Sequence, residues 1–199
     1  ALEIDPAVWH LNEGHSAFML AEQARELMAD GVTFEEALAR VRKHSVFTIH
    51  TPVPAGNERF ATDLVRALTA PEAEAANVDI GPLLEMGLGV DGDASQFDMT
   101  AFALRNTCKA NGVSQLHGHV ADATWSPIID HGISGITNGV HPPTWVGRPM
   151  RKALQEIGGD LDHQESETEA DRFWERMDQV SDRELWAAHI QQKAALQEY

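Results

Sequence analysis

Asn12, Glu13, His15, His50, Glu58 and Asn138 are the side chains of this 199-residue sequence best suited to a ligand that both donates and accepts hydrogen bonds. Amides, imidazoles and carboxylates on rigid strand ends suit a sugar, because every sugar hydroxyl is donor and acceptor at once. Taken singly, turn and cap roles account for each of these residues equally well, so the turns alone do not assign a function.

Other chemistries find less support. There is no Gly-x-Gly-x-x-Gly after a strand, no Gly-Lys-Ser/Thr and no His-Glu-x-x-His, and Gly112-Val113-Ser114 lacks the second glycine of a nucleophile elbow. His117 and His119 stand two apart, which on a strand puts them on one face; with Glu13 and His15 they form a conceivable zinc set for a metal hydrolase. Hydrogen bonding at turns and helix ends is the preferred reading of these histidines, and no metal is expected. Cys108 is the sole cysteine, which rules out an intrachain disulfide and suits a reducing cytoplasm. The formal net charge of −16 repels phosphate backbones and anionic lipid surfaces, so neither nucleic acid nor membrane is an expected partner.

The elements that must position the polar turns follow from pattern. Residues 7–11 read as a buried strand that turns at Asn12-Glu13-Gly14-His15 into a helix over 16–29, with Gly31 as its cap. Thr33 and Glu36 form a capping box for a second helix, and the β-branched run 45–51 is a second strand closed by Pro52 and Pro54. Strand, helix, helix, strand describes an α/β layer with a parallel sheet, whose ligands sit at the carboxyl ends of the strands. Further on, a helix is expected over 57–68, short helices over 69–94, and an Asp98-capped helix over 99–109 stopped by Asn111-Gly112. A short strand over 133–140 follows. Helices over 149–157 and 169–179 flank a polar linker at 158–167, and a second capping box, Ser181 with Glu184, opens a last helix to residue 199. Phe173, Trp174, Met177, Leu185, Trp186 and Ile190 give this tail an apolar stripe, read as core or as a face for self-association.

Three segments carry a family resemblance. Trp9-His10-Leu11-Asn12-Glu13-Gly14-His15-Ser16-Ala17-Phe18 resembles the Leu-Asn-acid-x-His turn of α-glucan phosphorylases. Phe47-Thr48-Ile49-His50-Thr51-Pro52-Val53-Pro54-Ala55-Gly56 resembles their His-Thr segment, and Ile136-Thr137-Asn138-Gly139-Val140-His141-Pro142-Pro143-Thr144-Trp145 their Thr-Asn-Gly junction motif. The resemblance implies an α/β chain that is part of a two-domain GT-B glycosyltransferase fold, a Rossmann-like parallel sheet with many helices. Residues 1–140 would be the cleft-side end of the amino-terminal domain, and 141–199 the interdomain junction and helical start of the next.

The implied activity is cytoplasmic phosphorolysis of α-1,4-glucan or maltodextrin by inorganic phosphate, assisted by the phosphate of pyridoxal phosphate and releasing glucose 1-phosphate. By resemblance His50 contacts the glucose through its ring and main-chain carbonyl and acts as the catalytic group. Asn138 binds the 6-hydroxyl, Glu13 and His15 line the far side of the pocket with Glu58 nearby, Ala110 is the small apolar residue beside the sugar, and Trp145 packs near the cofactor. The family's cofactor lysine belongs to its carboxyl-terminal domain. Lys43, Lys109, Lys152 and Lys193, all read as helical, do not resemble that motif. His119 stands where the family has Glu, and Asn57-Glu58 where its bacterial members commonly have His-Asp. Ala1 is not methionine and the first strand begins almost at once, so an internal piece is expected, inactive alone; the alternative is a non-catalytic sugar-binding or regulatory module of the same fold.

Overall fold

The computed structural model describes residues 6–53, 56–159 and 167–198. Ala1, Pro54, most of the expected polar linker and the end of the last helix at Tyr199 lie outside the described residues. The chain divides into two compact units, 1–138 and 139–199.

In the first unit β1 (Trp9–Asn12), β2 (Ser45–Ile49), β5 (Lys109–Gly112) and β6 (Ile133–Gly135) form one sheet in that order, every pair parallel. Leu11, Phe47, Ala110 and Ile133 stand in register across all four strands, and all are buried. This row anchors the core; burying each larger side chain is worth about 1.5–3 kcal/mol. The alternate row is polar: Asn12, Thr48, Asn111 and Ser134 are in register. Thr48 Oγ donates to Asn111 Oδ1 (2.8 Å), so it accepts from His10 Nε2 (2.7 Å).

Helices α1 (Phe18–Ala29) and α2 (Phe34–Lys43) connect β1 to β2, the right length for a parallel crossover. Gly31 ends the turn after α1 at φ 88°, a conformation that favours glycine. Thr33 accepts from the Glu36 N–H, but Glu36 turns its carboxylate to Arg40 instead of back to the cap, so only half of the expected capping box forms.

Residues 57–61 depart from the helical expectation. Arg59–Ala61 is a strand, β3, antiparallel to β4 (Gln96–Asp98), and helix α3 (Thr62–Ala75) starts only after it, running through Pro71. After α4 (Gly81–Met86), α5 (Met99–Arg105) stops four residues earlier than expected. Asn106 and Thr107 bond back to the carbonyls of Phe102 and Ala103, and the chain then enters β5. Lys109 is therefore a strand residue, not a helical one. Phe97 stacks on Phe18 at 5.6 Å and packs against Phe102 at 5.3 Å, joining the small sheet to α1 and α5.

α6 (Gln115–Trp125) begins at Ser114, whose hydroxyl accepts from the His117 N–H. It lies so close to the sheet that Gly112, Gly118 and Gly135 meet backbone to backbone.

The second unit is helical by itself: α7 (Pro142–Trp145), α8 (Arg148–Gly158), α9 (Glu167–Met177) and α10 (Asp182–Gln197). α8 packs with both α9 and α10, burying Phe173 and Ala188. The capping box of Ser181 and Glu184 is complete.

Acid should weaken the first unit. Hydrogen bonding from Arg59 holds Asp91 below the ordinary carboxylate range, that from Ser95 does the same for Asp93, and Arg42 for Asp130. A depressed folded-state pKa contributes stability that is full above the unfolded value, about 3.9, and is lost as pH falls through the lower folded values. The urea midpoint is expected to fall between pH 5 and pH 2.5, by less in a variant combining Asp91→Asn with Asp130→Asn. An equal fall in both proteins would show that these pairs contribute nothing.

Candidate functional site

Because the four strands are parallel, their carboxyl ends share one edge, and main-chain bonds continue past the formal ends of β1 and β6. The Glu13 N–H donates to Thr48 O (2.9 Å), the Ile136 N–H to Gly112 O (2.9 Å) and the Asn138 N–H to Val113 O (3.1 Å). Asn12 with Glu13, His50, Val113 and Asn138 thus form consecutive tips of one edge. In the order of the sheet Val113 stands between His50 and Asn138.

The first two tips are locked together. Glu13 Oε2 accepts from the His50 main-chain N–H (2.8 Å) and from Thr51 Oγ (3.1 Å). His50 Nε2 meets Asn12 Oδ1 at 2.7 Å. With that oxygen as acceptor, Nε2 carries the proton and Nδ1 is left for another partner. His50 and Asn138 are exposed, and Glu13 is half-buried.

The remaining expected residues divide. His15 lies exposed in the 3-10 turn Gly14–Ser16, next to the cluster. Glu58 is exposed, and its carbonyl accepts from the Met99 N–H, a residue that packs against Gly14; its backbone therefore belongs to the same neighbourhood. Ala110 does not reach the edge. It lies on the apolar face between Phe47 and Ile133, three residues before the tip of its strand and 5% exposed, so it is a core residue. Trp145 is in the second unit and 77% exposed.

His117 and His119 lie on helix α6, not on a strand. Side chains two apart on a helix diverge, and here His117 is buried and His119 exposed. His117 Nδ1 accepts from the Val113 N–H (3.2 Å). Among the described residues no three His, Cys, Asp or Glu side chains are grouped so as to hold a metal ion, and no helix is long and apolar enough to cross a membrane.

Val113 is the tip residue that the sequence reading passed over. Its carbonyl holds Asn138 and its N–H is held by His117, midway between the two outer tips. The strand leading to it, Lys-Ala-Asn-Gly, has no β-branched residue to mark it.

The chain is 37% identical over 198 residues to the maltodextrin phosphorylase of Thermococcus litoralis, covering 96% of this chain and 23% of that protein. The homology reaches from the first strand to the tail. The chain is homologous to one stretch of an α-glucan phosphorylase. The glycogen phosphorylase of Mycobacterium tuberculosis is 35% identical over 204 residues, again with 97% of this chain and 23% of the relative. That of Aquifex aeolicus is 29% identical over 206 residues, with 100% of this chain and 29% of the relative. The phosphorylase-like chain therefore spans about a quarter of the length of the curated relatives it matches. No protein-family model matches it. Its parallel sheet and flanking helices fit a part of a GT-B-like fold.

Proposed function

We propose that this chain supplies the sugar-gripping strand tips of an α-glucan phosphorylase. The parent enzyme cleaves the terminal α-1,4 bond of a glucan or maltodextrin with inorganic phosphate and releases glucose 1-phosphate. The observation that carries the reading is the bonded cluster of Asn12, Glu13 and His50 at the tips of two neighbouring strands, with Asn138 on the same edge. A pyranose ring bound at this edge would lie between His50 and Asn138. His50 offers a ring nitrogen and a main-chain carbonyl to that ring, and Asn138 a carboxamide to the far hydroxyl. A carbonyl dipole beside the anomeric carbon stabilises positive charge as it develops there, raising rate more than ground-state affinity. His15 and Glu58 border the same end.

Pyridoxal phosphate, which the homology implies for the parent, does not fit the residues of this chain. Lys43, Lys109, Lys152 and Lys193 are all exposed, none in an enclosed site that would shield an imine from water. Trp145, read as a cofactor neighbour, is a surface residue in its own unit. No step of the proposed chemistry runs through the cofactor, and the chain alone is inactive. The tail carries Trp174, Trp186, Ile190 and Leu196 at its surface, and self-association through them belongs to the same proposal.

The test compares the isolated chain with the full-length polypeptide that carries it. The full-length protein is expected to release glucose 1-phosphate from maltoheptaose and phosphate. His50→Ala should lower its kcat by about 10²-fold or more. The isolated chain should give no product and no lysine labelling on borohydride reduction with pyridoxal phosphate. An inactive full-length protein would defeat the proposal, and saturable maltoheptaose binding by the isolated chain would favour the non-catalytic module.

A further inference from the structure

Glu13 is the residue whose geometry is least explained by lining a pocket. Its backbone sits at φ 74°, ψ 164°, a region that is essentially glycine's own. Its N–H, its carbonyl and one carboxylate oxygen are all bonded. The N–H donates to Thr48 O, and the carbonyl accepts from Ser16 Oγ (2.9 Å). The carboxylate reaches across to the next strand, where a single oxygen accepts from the His50 N–H and the Thr51 hydroxyl. The positive φ re-aims the Cα–Cβ bond so that a side chain beginning on β1 finishes on the tip of β2. Gly14 lets this turn settle on α5, since a Cβ there would stand 3.1 Å from Thr100 Oγ1 and 3.3 Å from Met99 Cβ.

We infer that Glu13 is a positioning residue rather than a sugar ligand: its carboxylate fixes the His50–Thr51 segment, and so sets the direction of the His50 carbonyl and ring. This rests on the sugar-site reading above. The two bonds bracket the peptide unit that carries the His50 carbonyl. One comes from the main chain of residue 50, the other from the side chain of residue 51. Asn12, the preceding residue, holds the ring of the same histidine, so the last residue of β1 and the one after it fix the side chain and the backbone of His50 together. A dipole acts on a developing charge only while its direction is held, so loosening this clamp lowers turnover more than substrate binding.

Two variants separate the role from the fold. Glu13→Gly keeps the backbone conformation in its most tolerant residue and removes the carboxylate. Glu13→Gln keeps an acceptor oxygen and removes the charge. In the isolated chain, the His50 amide proton resonance should move from its wild-type position in both variants, further in Glu13→Gly than in Glu13→Gln. Hydrogen exchange at His50 should quicken at least about tenfold in Glu13→Gly while the amides of Phe47 and Phe102 keep their protection. In the full-length protein, Glu13→Gly should lower kcat about tenfold or more with KM within about twofold, and Glu13→Gln should recover part of the loss. A His50 amide indifferent to both variants overturns the clamp. A clamp visible by resonance but with kcat unchanged overturns the positioning role. If the wild-type full-length protein fails to act on maltoheptaose, the sugar reading fails instead, and the amide measurements identify that case separately.

Discussion

Gly118→Ala is expected to destabilise the first unit by about 3 kcal/mol and to lower its melting temperature by roughly 10 °C. A Cβ on residue 118 would stand 2.6 Å from both the Cα and the N of Gly135, and 3.0 Å from the carbonyl carbon of Ser134. These are backbone atoms of β6, so no side-chain rotation relieves the overlap, and helix α6 must lift from the sheet. Alanine's helix preference, worth about 1 kcal/mol over glycine, offsets only part of the cost. The neighbouring glycines leave no slack: a Cβ on Gly112 would meet Gly118 N at 2.8 Å, and one on Gly135 would meet Ser114 O at 2.7 Å. The damage extends to the candidate site, because β6 leads to Ile136 and Asn138, which are held by the carbonyls of Gly112 and Val113. Gly132→Ala is the control. Its Cβ would come no nearer than 3.6 Å to any atom, so a change within about 0.5 kcal/mol is expected. If Gly118→Ala melts with the wild type, the close approach of α6 to the sheet is wrong.

That packing shows what was legible in the sequence and what was not. The first two strands, the helices between them and the cap at Ser181 announce themselves through local periodicity and side-chain chemistry, and the structure has all of them, although the first strand, expected to be buried, is only Trp9–Asn12 and buries Leu11 alone. β3 and β5 are different. Arg-Phe-Ala and Lys-Ala-Asn-Gly carry little strand propensity, and their extended form comes from partners far along the chain, β4 for one and β2 with β6 for the other. Tertiary pairing decides such segments. A strand beginning at Lys109 buries Ala110, which the resemblance puts beside the sugar, in the apolar row, and the helix that follows it takes His117 and His119. Within the site, the residue types at the tips were readable, whereas the inward turn of the Glu13 carboxylate was not. It depends on one backbone angle that no spacing rule predicts for a glutamate.

Asp98→Ala is expected to cost about 3–4 kcal/mol, and the comparison with Asp98→Asn separates its two duties. The carboxylate is fully buried. One oxygen accepts from Arg59 Nε at 2.9 Å, joining β3 to β4 by charge as well as by ladder. The other accepts from the Ala101 N–H at 2.9 Å and caps α5. Losing a cap costs about 1 kcal/mol. Removing one member of a buried ion pair costs about 3–5 kcal/mol where the other charge is stranded. Arg59 is not wholly stranded, since it keeps Asp91 at 2.5 Å, which places the expected sum toward the lower end. Asparagine keeps an acceptor for the Ala101 N–H and loses only the charge, so Asp98→Asn should cost about half as much. The consequence reaches the site because Met99 and Thr100, the first residues of α5, are the surface on which Gly14 rests. A frayed α5 leaves the turn that carries Glu13 without its floor, so hydrogen exchange at His50 should quicken in Asp98→Ala more than in Asp98→Asn. Urea denaturation at pH 7 checks the ordering of stabilities. Equal midpoints for the two variants would mean that the helix cap contributes nothing and that the charge alone holds this corner together.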